Sequence, residues 1–201
     1  MQWVAWEAYE WVGPGRIVFG WGRRGEVGRW AAQVGRRTTI IYGSPSFSQQ
    51  GLLDELADRL CYHGVTTLHM EQIDHDPLVA DVDRLAQQLR QYRVGAGDFL
   101  LAVGGGSAID LAKAVAAMAV QPEAVSVQDY LEGVGRGFQI TEQPLPVLAM
   151  PTTAGTGAEA TKNAVISSYD PPLKRSLRDD RLMPRVALVD PELTVSVPPA
   201  V

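Results

Sequence analysis

Apolar residues along this chain fall into two alternating patterns, short continuous runs and helical stripes. The runs read as buried strands, because β-branched side chains pack well on a pleated surface covered on both faces. They occur at Arg16–Gly20 (RIVFG), Thr38–Tyr42 (TTIIY), Thr66–Met70, Phe99–Val103 (FLLAV), Val147–Met150 and Val186–Val189. The stripes repeat every three to four residues, as one face of a helix does. Val27, Trp30, Ala31 and Val34 mark a helix over Glu26–Val34, and Leu52, Leu53, Leu56, Ala57 and Leu60 one over Leu52–Tyr62. Leu78, Val79, Val82, Leu85, Ala86 and Leu89 mark a third, and alanine-rich Ala108–Val120 is the fourth. Strand and helix in alternation predict an α/β fold, a parallel sheet with helices on both faces and right-handed crossovers. An N-terminal strand or hairpin is expected in addition. The whole chain, 1–201, reads as one domain without internal repeats.

Composition changes this picture little. Of 201 residues, 46% are hydrophobic and 20% charged, ordinary for a globular domain. A net charge of −5 argues against a nucleic acid or an anionic membrane as partner. No apolar run reaches the ~18 residues of a membrane span. Met1–Trp11 lacks the pattern of a signal peptide. The single cysteine, Cys61, cannot form an internal disulfide, so a cytoplasmic location is expected. Cys61 itself reads as structural. Trp3, Trp6, Trp11, Trp21 and Trp30 crowd the start and are expected to pack an N-terminal strand and helix.

Ligands of parallel sheets bind at the carboxyl ends of strands, where Gly43 and Gly104 fall. The FLLAV strand runs directly into Gly104-Gly105-Gly106-Ser107 and then a helix. Glycines let phosphate oxygens approach backbone amides, and a helix N-terminus adds free N–H groups and partial positive charge. Ser107 is expected to cap the helix or donate to phosphate, and Asp110 stands where a capping-box acid would. Asp110 and Lys113 can meet on one helix face. The turn matches neither G-x-G-x-x-G nor a Walker loop, so alone it is equally a tight capped turn. A second loop, Pro151-Thr152-Thr153-Ala154-Gly155-Thr156-Gly157-Ala158-Glu159-Ala160-Thr161, also follows an apolar strand. Its hydroxyls and amides suit phosphate binding. Two such loops could grip opposite ends of one extended ligand.

GGGSAIDLAKAVA (Gly104–Ala116) and PTTAGTGAEATKNAVI (Pro151–Ile166) resemble the two signature segments of the iron-containing alcohol dehydrogenases. FGWGRRGEVG (Phe19–Gly28), Lys174–Pro184 and VALVDPELTVSVPP (Val186–Pro199) are similar to that family in the same order. The resemblance implies a Rossmann-like domain that binds a dinucleotide cofactor. It implies that the Gly104 turn, through Gly105, Gly106 and Ser107, holds the pyrophosphate, and that Thr152, Thr153 and Thr156 line the cleft. Asn163 and Lys174 match positions that contact the dinucleotide. In NAD-preferring members an Asp follows the strand matching Thr39–Tyr42. Here Gly43 and Ser44 stand instead, leaving room and a donor for a 2′-phosphate, so NADP(H) is expected over NAD(H).

The family's divalent metal, iron or zinc, is held by one Asp and three His of a C-terminal helical domain, beyond the position of Pro198-Pro199. That domain is expected to be absent here, and no metal is expected to bind. His63, His69 and His75 do not match the spacing of a helical metal site, and His75-Asp76 is expected to be a chance pair. Two functions follow as expectations. One is the nucleotide-binding part of an alcohol dehydrogenase or aldehyde reductase, inactive without its metal domain. The other is a stand-alone, non-catalytic NADP-binding or oligomerising module. A homodimer is expected in either case.

Overall fold

The computed structural model describes residues 8–43, 51–122 and 126–195. Six strands form one parallel sheet: β1 (Ile17–Phe19), β2 (Arg37–Tyr42), β3 (Thr66–Gln72), β4 (Asp98–Gly104), β5 (Val147–Pro151) and β8 (Val186–Val189). Their order across the sheet is β1-β8-β5-β4-β2-β3. Among the described residues four α-helices cross between them: α1 (Val27–Val34), α2 (Leu52–Tyr62), α3 (Val79–Gln91) and α4 (Gly106–Met118). A separate antiparallel hairpin joins β6 (Asn163–Tyr169) to β7 (Pro172–Arg178).

Each central strand feeds two cores, because successive side chains point to opposite faces. From β4, Phe99, Leu101 and Val103 enter the core beneath α1 and α2, with Trp30, Leu56 and Leu60. Leu100 and Ala102 enter the opposite core with α3 and α4, alongside Leu85 and Leu89. Val147 and Ala149 of β5 join the second core, and Leu148 and Met150 the first. Helices on both faces are therefore observed, and β4 is buried along its whole length.

The hairpin is the element that the apolar pattern did not reveal. Ala164, Ile166 and Leu177 of its two strands are buried in the core, Leu173 packs against it, and three of the seven β7 residues are charged. Its packing explains why α4 is apolar nearly all round. Ten of its thirteen residues are buried, between the sheet on one side and β6 on the other. Alanines at 108, 112, 114, 116 and 117 let the backbone approach both layers.

The expected N-terminal strand is present as β1 and pairs in parallel with β8 at the sheet edge. No hairpin accompanies it among the described residues. Trp30 is buried, whereas Trp11 and Trp21 are exposed, so among the described tryptophans only Trp30 packs into the core. Trp3 and Trp6 lie outside the described residues. Cys61 is exposed rather than packed.

Two buried carboxylates fix the sheet's ends. Asp98 takes two hydrogen bonds from Arg37, Nε to Oδ1 at 2.6 Å and Nη2 to Oδ2 at 2.7 Å, tying the starts of β2 and β4. Asp190, fully buried after β8, accepts the amides of Gly22, Arg24 and Glu192. Asp190→Ala leaves three part-buried donors without this acceptor. It is expected to lower the unfolding free energy by about 2–4 kcal/mol in urea melts. A loss below about 0.5 kcal/mol would mean that water replaces the carboxylate.

Candidate functional site

In register, Tyr42 of β2 stands opposite Val103 of β4, and Gly104 of β4 opposite Pro151 of β5. The chain leaves β2 for β3 on one side and returns to β4 on the other, so strand order reverses between β2 and β4. A crevice opens at such a reversal, outside the carboxyl ends of the strands. Gly43, the glycine turn and the threonine loop all start from that edge.

Close backbone approach explains the glycines. Gly43 donates its amide to Val103, and Thr152 donates its own to Gly104, so the three loops share main-chain bonds. A Cβ on Gly104 would sit 2.8 Å from the Ala108 Cβ and 3.0 Å from the Gly43 nitrogen. One on Gly105 would lie 3.1 Å from Thr153 Oγ1, and one on Gly106 3.2 Å from Thr156 Cγ2. The turn thus threads between Gly43 and the threonine loop, with no room for a side chain at Gly104 and little at Gly105 and Gly106.

Helix α4 begins at Gly106, two residues earlier than its alanines suggest, and Gly105 is its N-cap in extended conformation. No side chain caps it, so Ser107 lies inside the first turn and caps nothing. Asp110 is not a capping-box acid either. It points across to the hairpin, where its Oδ2 accepts the Val165 amide at 3.0 Å. First-turn amides of a helix have no carbonyl partner within the helix, and here no side chain takes them. These residues fit the diphosphate of a dinucleotide, which supplies the acceptors such amides lack.

A cavity of about 350 Å³ lies against this helix start. Gly106, Ser107, Asp110, Thr156, Asn163 and Lys174 line it, so half of the anticipated site residues meet in one space. Gly104, Gly105, Thr152 and Thr153 form the packed junction beside it, and Gly43 abuts Gly104. Ser44 lies outside the described residues. A larger cavity of about 710 Å³ opens at the other edge of the sheet, around Gly97, Asp98, Pro146 and Pro184. It holds none of the glycine-turn or threonine-loop residues.

Two contributors were not foreseen in their present roles. Lys113 is fully buried, and its ammonium donates to Ala158 O, to Thr161 Oγ1 at 3.2 Å and to Asn163 O at 3.1 Å. It also lies 3.8 Å from Asp110, as their helical spacing predicts. Lys113 and Asp110 therefore stitch α4 to the segment that carries Thr156 and Asn163. Burial lowers the Lys113 ammonium to about 8, against the opposing pull of the Asp110 and Glu159 carboxylates. Burial likewise pushes the Asp110 carboxyl up, while the Val165 amide and Lys113 favour its charge. The second is Asp76, which enters the cavity from the loop after β3 and pairs with Lys174 at 2.5 Å. Its neighbour His75 turns away from it, bonding Asp74 and Asp81 at 3.0 Å each, so the His75-Asp76 pair does not form.

A family model described as iron-containing alcohol dehydrogenase matches residues 14–191. The chain belongs to that family. Long-chain-alcohol dehydrogenase 1 of Geobacillus thermodenitrificans is 35% identical over 92% of this chain and 47% of its own length. The NADPH-dependent butanol dehydrogenase of Clostridium saccharobutylicum is 32% identical over 82% of this chain and 41% of its own. The crystal structure of NADH-dependent butanol dehydrogenase A from Thermotoga maritima superposes with a TM-score of 0.85 at 30% identity. That match covers 96% of this chain and 46% of the other. The chain thus spans about half the length of these iron-containing alcohol dehydrogenases, and that half is the Rossmann-like one.

The early titration of Lys113 gives a stability test. The unfolded chain holds this proton up to about pH 10.4, whereas the folded chain releases it near 8. Between these values the unfolded state binds more protons, so stability climbs with pH. Lys113→Met is expected to remove that climb, about 3 kcal/mol at most across the window. Guanidinium melts from about pH 7.5 to about pH 10.5 measure it. Parallel pH profiles for both proteins would show that Lys113 does not titrate early.

Proposed function

We propose that the cleft binds the diphosphate of a nicotinamide dinucleotide. On this reading the chain is the nucleotide-binding part of an NAD(P)-dependent alcohol dehydrogenase or aldehyde reductase. The reaction is hydride transfer between an alcohol and a carbonyl. One observation carries it: an uncapped helix start and a threonine-glycine loop meet at the strand-order reversal, around a shared cavity. The chain's own part in the chemistry is to hold and orient the cofactor. Isothermal titration with NADPH and NADH tests it directly.

NADP(H) is the preferred cofactor in this proposal. The residue after β2 is Gly43, and no carboxylate occurs from there to Gln50 to repel a 2′-phosphate. Names of relatives carry both preferences, so Gly43 rather than kinship supports the choice. NADPH is expected to bind about tenfold tighter than NADH, or about 1.4 kcal/mol. Gly43→Asp is expected to reverse the order, since a Cβ there meets only ordinary contacts with Gly104. Tighter NADH binding by the unaltered chain would refute the preference.

The family's divalent metal is not assigned to these residues. His69 is bonded to Glu71, and His75 to Asp74 and Asp81, and neither place gathers the ligands of a closed site. Among the described residues no group of three such side chains is placed to hold a metal ion. Cofactor binding without turnover of short alcohols in Fe²⁺ or Zn²⁺ would mark the chain as a binding module.

A second copy of this chain is the proposed protein partner, and a cytoplasmic setting accords with the single cysteine. The edge strand β1 leaves Ile17 and Phe19 exposed, with Trp21 just beyond. An open, apolar strand edge favours pairing. Sedimentation equilibrium is expected to give a dimer that Phe19→Lys weakens. A monomer at all concentrations would discard the idea. Among the described residues no helix is long and apolar enough to cross a membrane.

A further inference from the structure

The cavity proposed to take a diphosphate is lined by two carboxylates, Asp76 and Asp110, and by one ammonium, Lys174. That is a poor balance for a dianion. Asp110 is already committed to the Val165 amide and to Lys113. Asp76 has no such tie to the backbone among the described residues. Its carboxylate reaches across the mouth of the cavity to Lys174, from the loop after β3 to strand β7.

The loop is held so that this reach is built in. Ser167 of β6 donates its amide to Pro77 O at 2.8 Å, tying the loop to the hairpin. On its other side His75 is fastened to Asp74 and Asp81, and Asp81 also accepts the Leu78 amide. Asp76 therefore stands at the rim with its partner already chosen. More than half of each side chain is exposed, so water screens the pair and an incoming anion can part it.

We propose that Asp76 sets the affinity of the cleft by competing with the cofactor's diphosphate for Lys174. The inference rests on the dinucleotide reading given above. A ligand entering beside Ser107 and Gly106 must take Lys174 from Asp76 and then lie near the released carboxylate. A diphosphate, with two charged groups against the helix start and the ammonium, offsets that cost. A singly charged anion such as acetate does not. Asp76 thus makes the cleft selective for diphosphates at the expense of affinity, acting through Lys174 as a positioning residue.

The test is calorimetric titration of the 201-residue chain and its variants with NADPH, inorganic pyrophosphate and acetate. Asp76→Asn frees Lys174 and is expected to tighten NADPH and pyrophosphate by about three- to tenfold. Asp76→Ser removes the same charge with a different side chain and is expected to give the same gain. In a Lys174→Met background, Asp76→Asn is expected to give less than about twofold. Circular dichroism establishes that each variant is folded. Unchanged or weaker NADPH binding by both Asp76 variants overturns the proposal, and weaker binding would make Asp76 an acceptor for cofactor hydroxyls. An equal gain with and without Lys174 also overturns it, leaving only direct repulsion. If the unaltered chain and every variant bind no dinucleotide, the cofactor reading itself fails and this inference falls with it.

Discussion

Parallel strands impose a direction on a sheet. Each must be re-entered from the same end, so every carboxyl end meets solvent along one edge. In this chain that constraint brings Gly43, Gly104 and Pro151 level with one another, although more than a hundred residues separate the first from the last. The reversal of strand order between β2 and β4 then keeps crossover helices from covering the gap. Everything in the cleft depends on that level edge. The glycine turn excludes a side chain at Gly104 and crowds one at Gly105 or Gly106, because Gly43 and the threonine loop flank it. The helix behind it starts uncapped because its N-cap, Gly105, has no side chain to offer.

Most of the sheet was legible in the sequence because burial on both faces demands continuous apolar runs, and FLLAV or TTIIY has few other uses. The helices were legible because Leu53, Leu56 and Leu60 recur at helical spacing. The hairpin was not, because its strands cover a helix rather than enter the sheet, and the apolar run of β6 is only Ala164-Val165-Ile166. The helix boundary was misplaced for a related reason. Gly105 and Gly106 read as turn residues, yet here glycine serves a helix start pressed against Thr153 and Thr156.

The site was half legible. Glycines and threonines announce themselves by composition, and Asn163 and Lys174 came from the family likeness. Lys113 was noticed only as a neighbour of Asp110, since nothing in one sequence distinguishes a lysine that leaves water from one that stays in it. Its three acceptors come from residues 158, 161 and 163, which only the fold brings to it. Asp76 was passed over in favour of its neighbour His75, because a histidine beside an aspartate suggests chemistry more readily than an aspartate facing a lysine almost a hundred positions away.

The burial of α4 between sheet and hairpin has a consequence for how this molecule breathes. A helix faced with alanine gains little from any single contact and relies on being covered from both sides. The hairpin is also the outer wall of the cleft, carrying Asn163, Val165 and Lys174. Cleft and outer layer therefore share the contacts that hold α4 in place, as the parts of one cooperative unit do. A ligand that binds only the closed cleft stabilises α4 through these contacts, at amides it never touches.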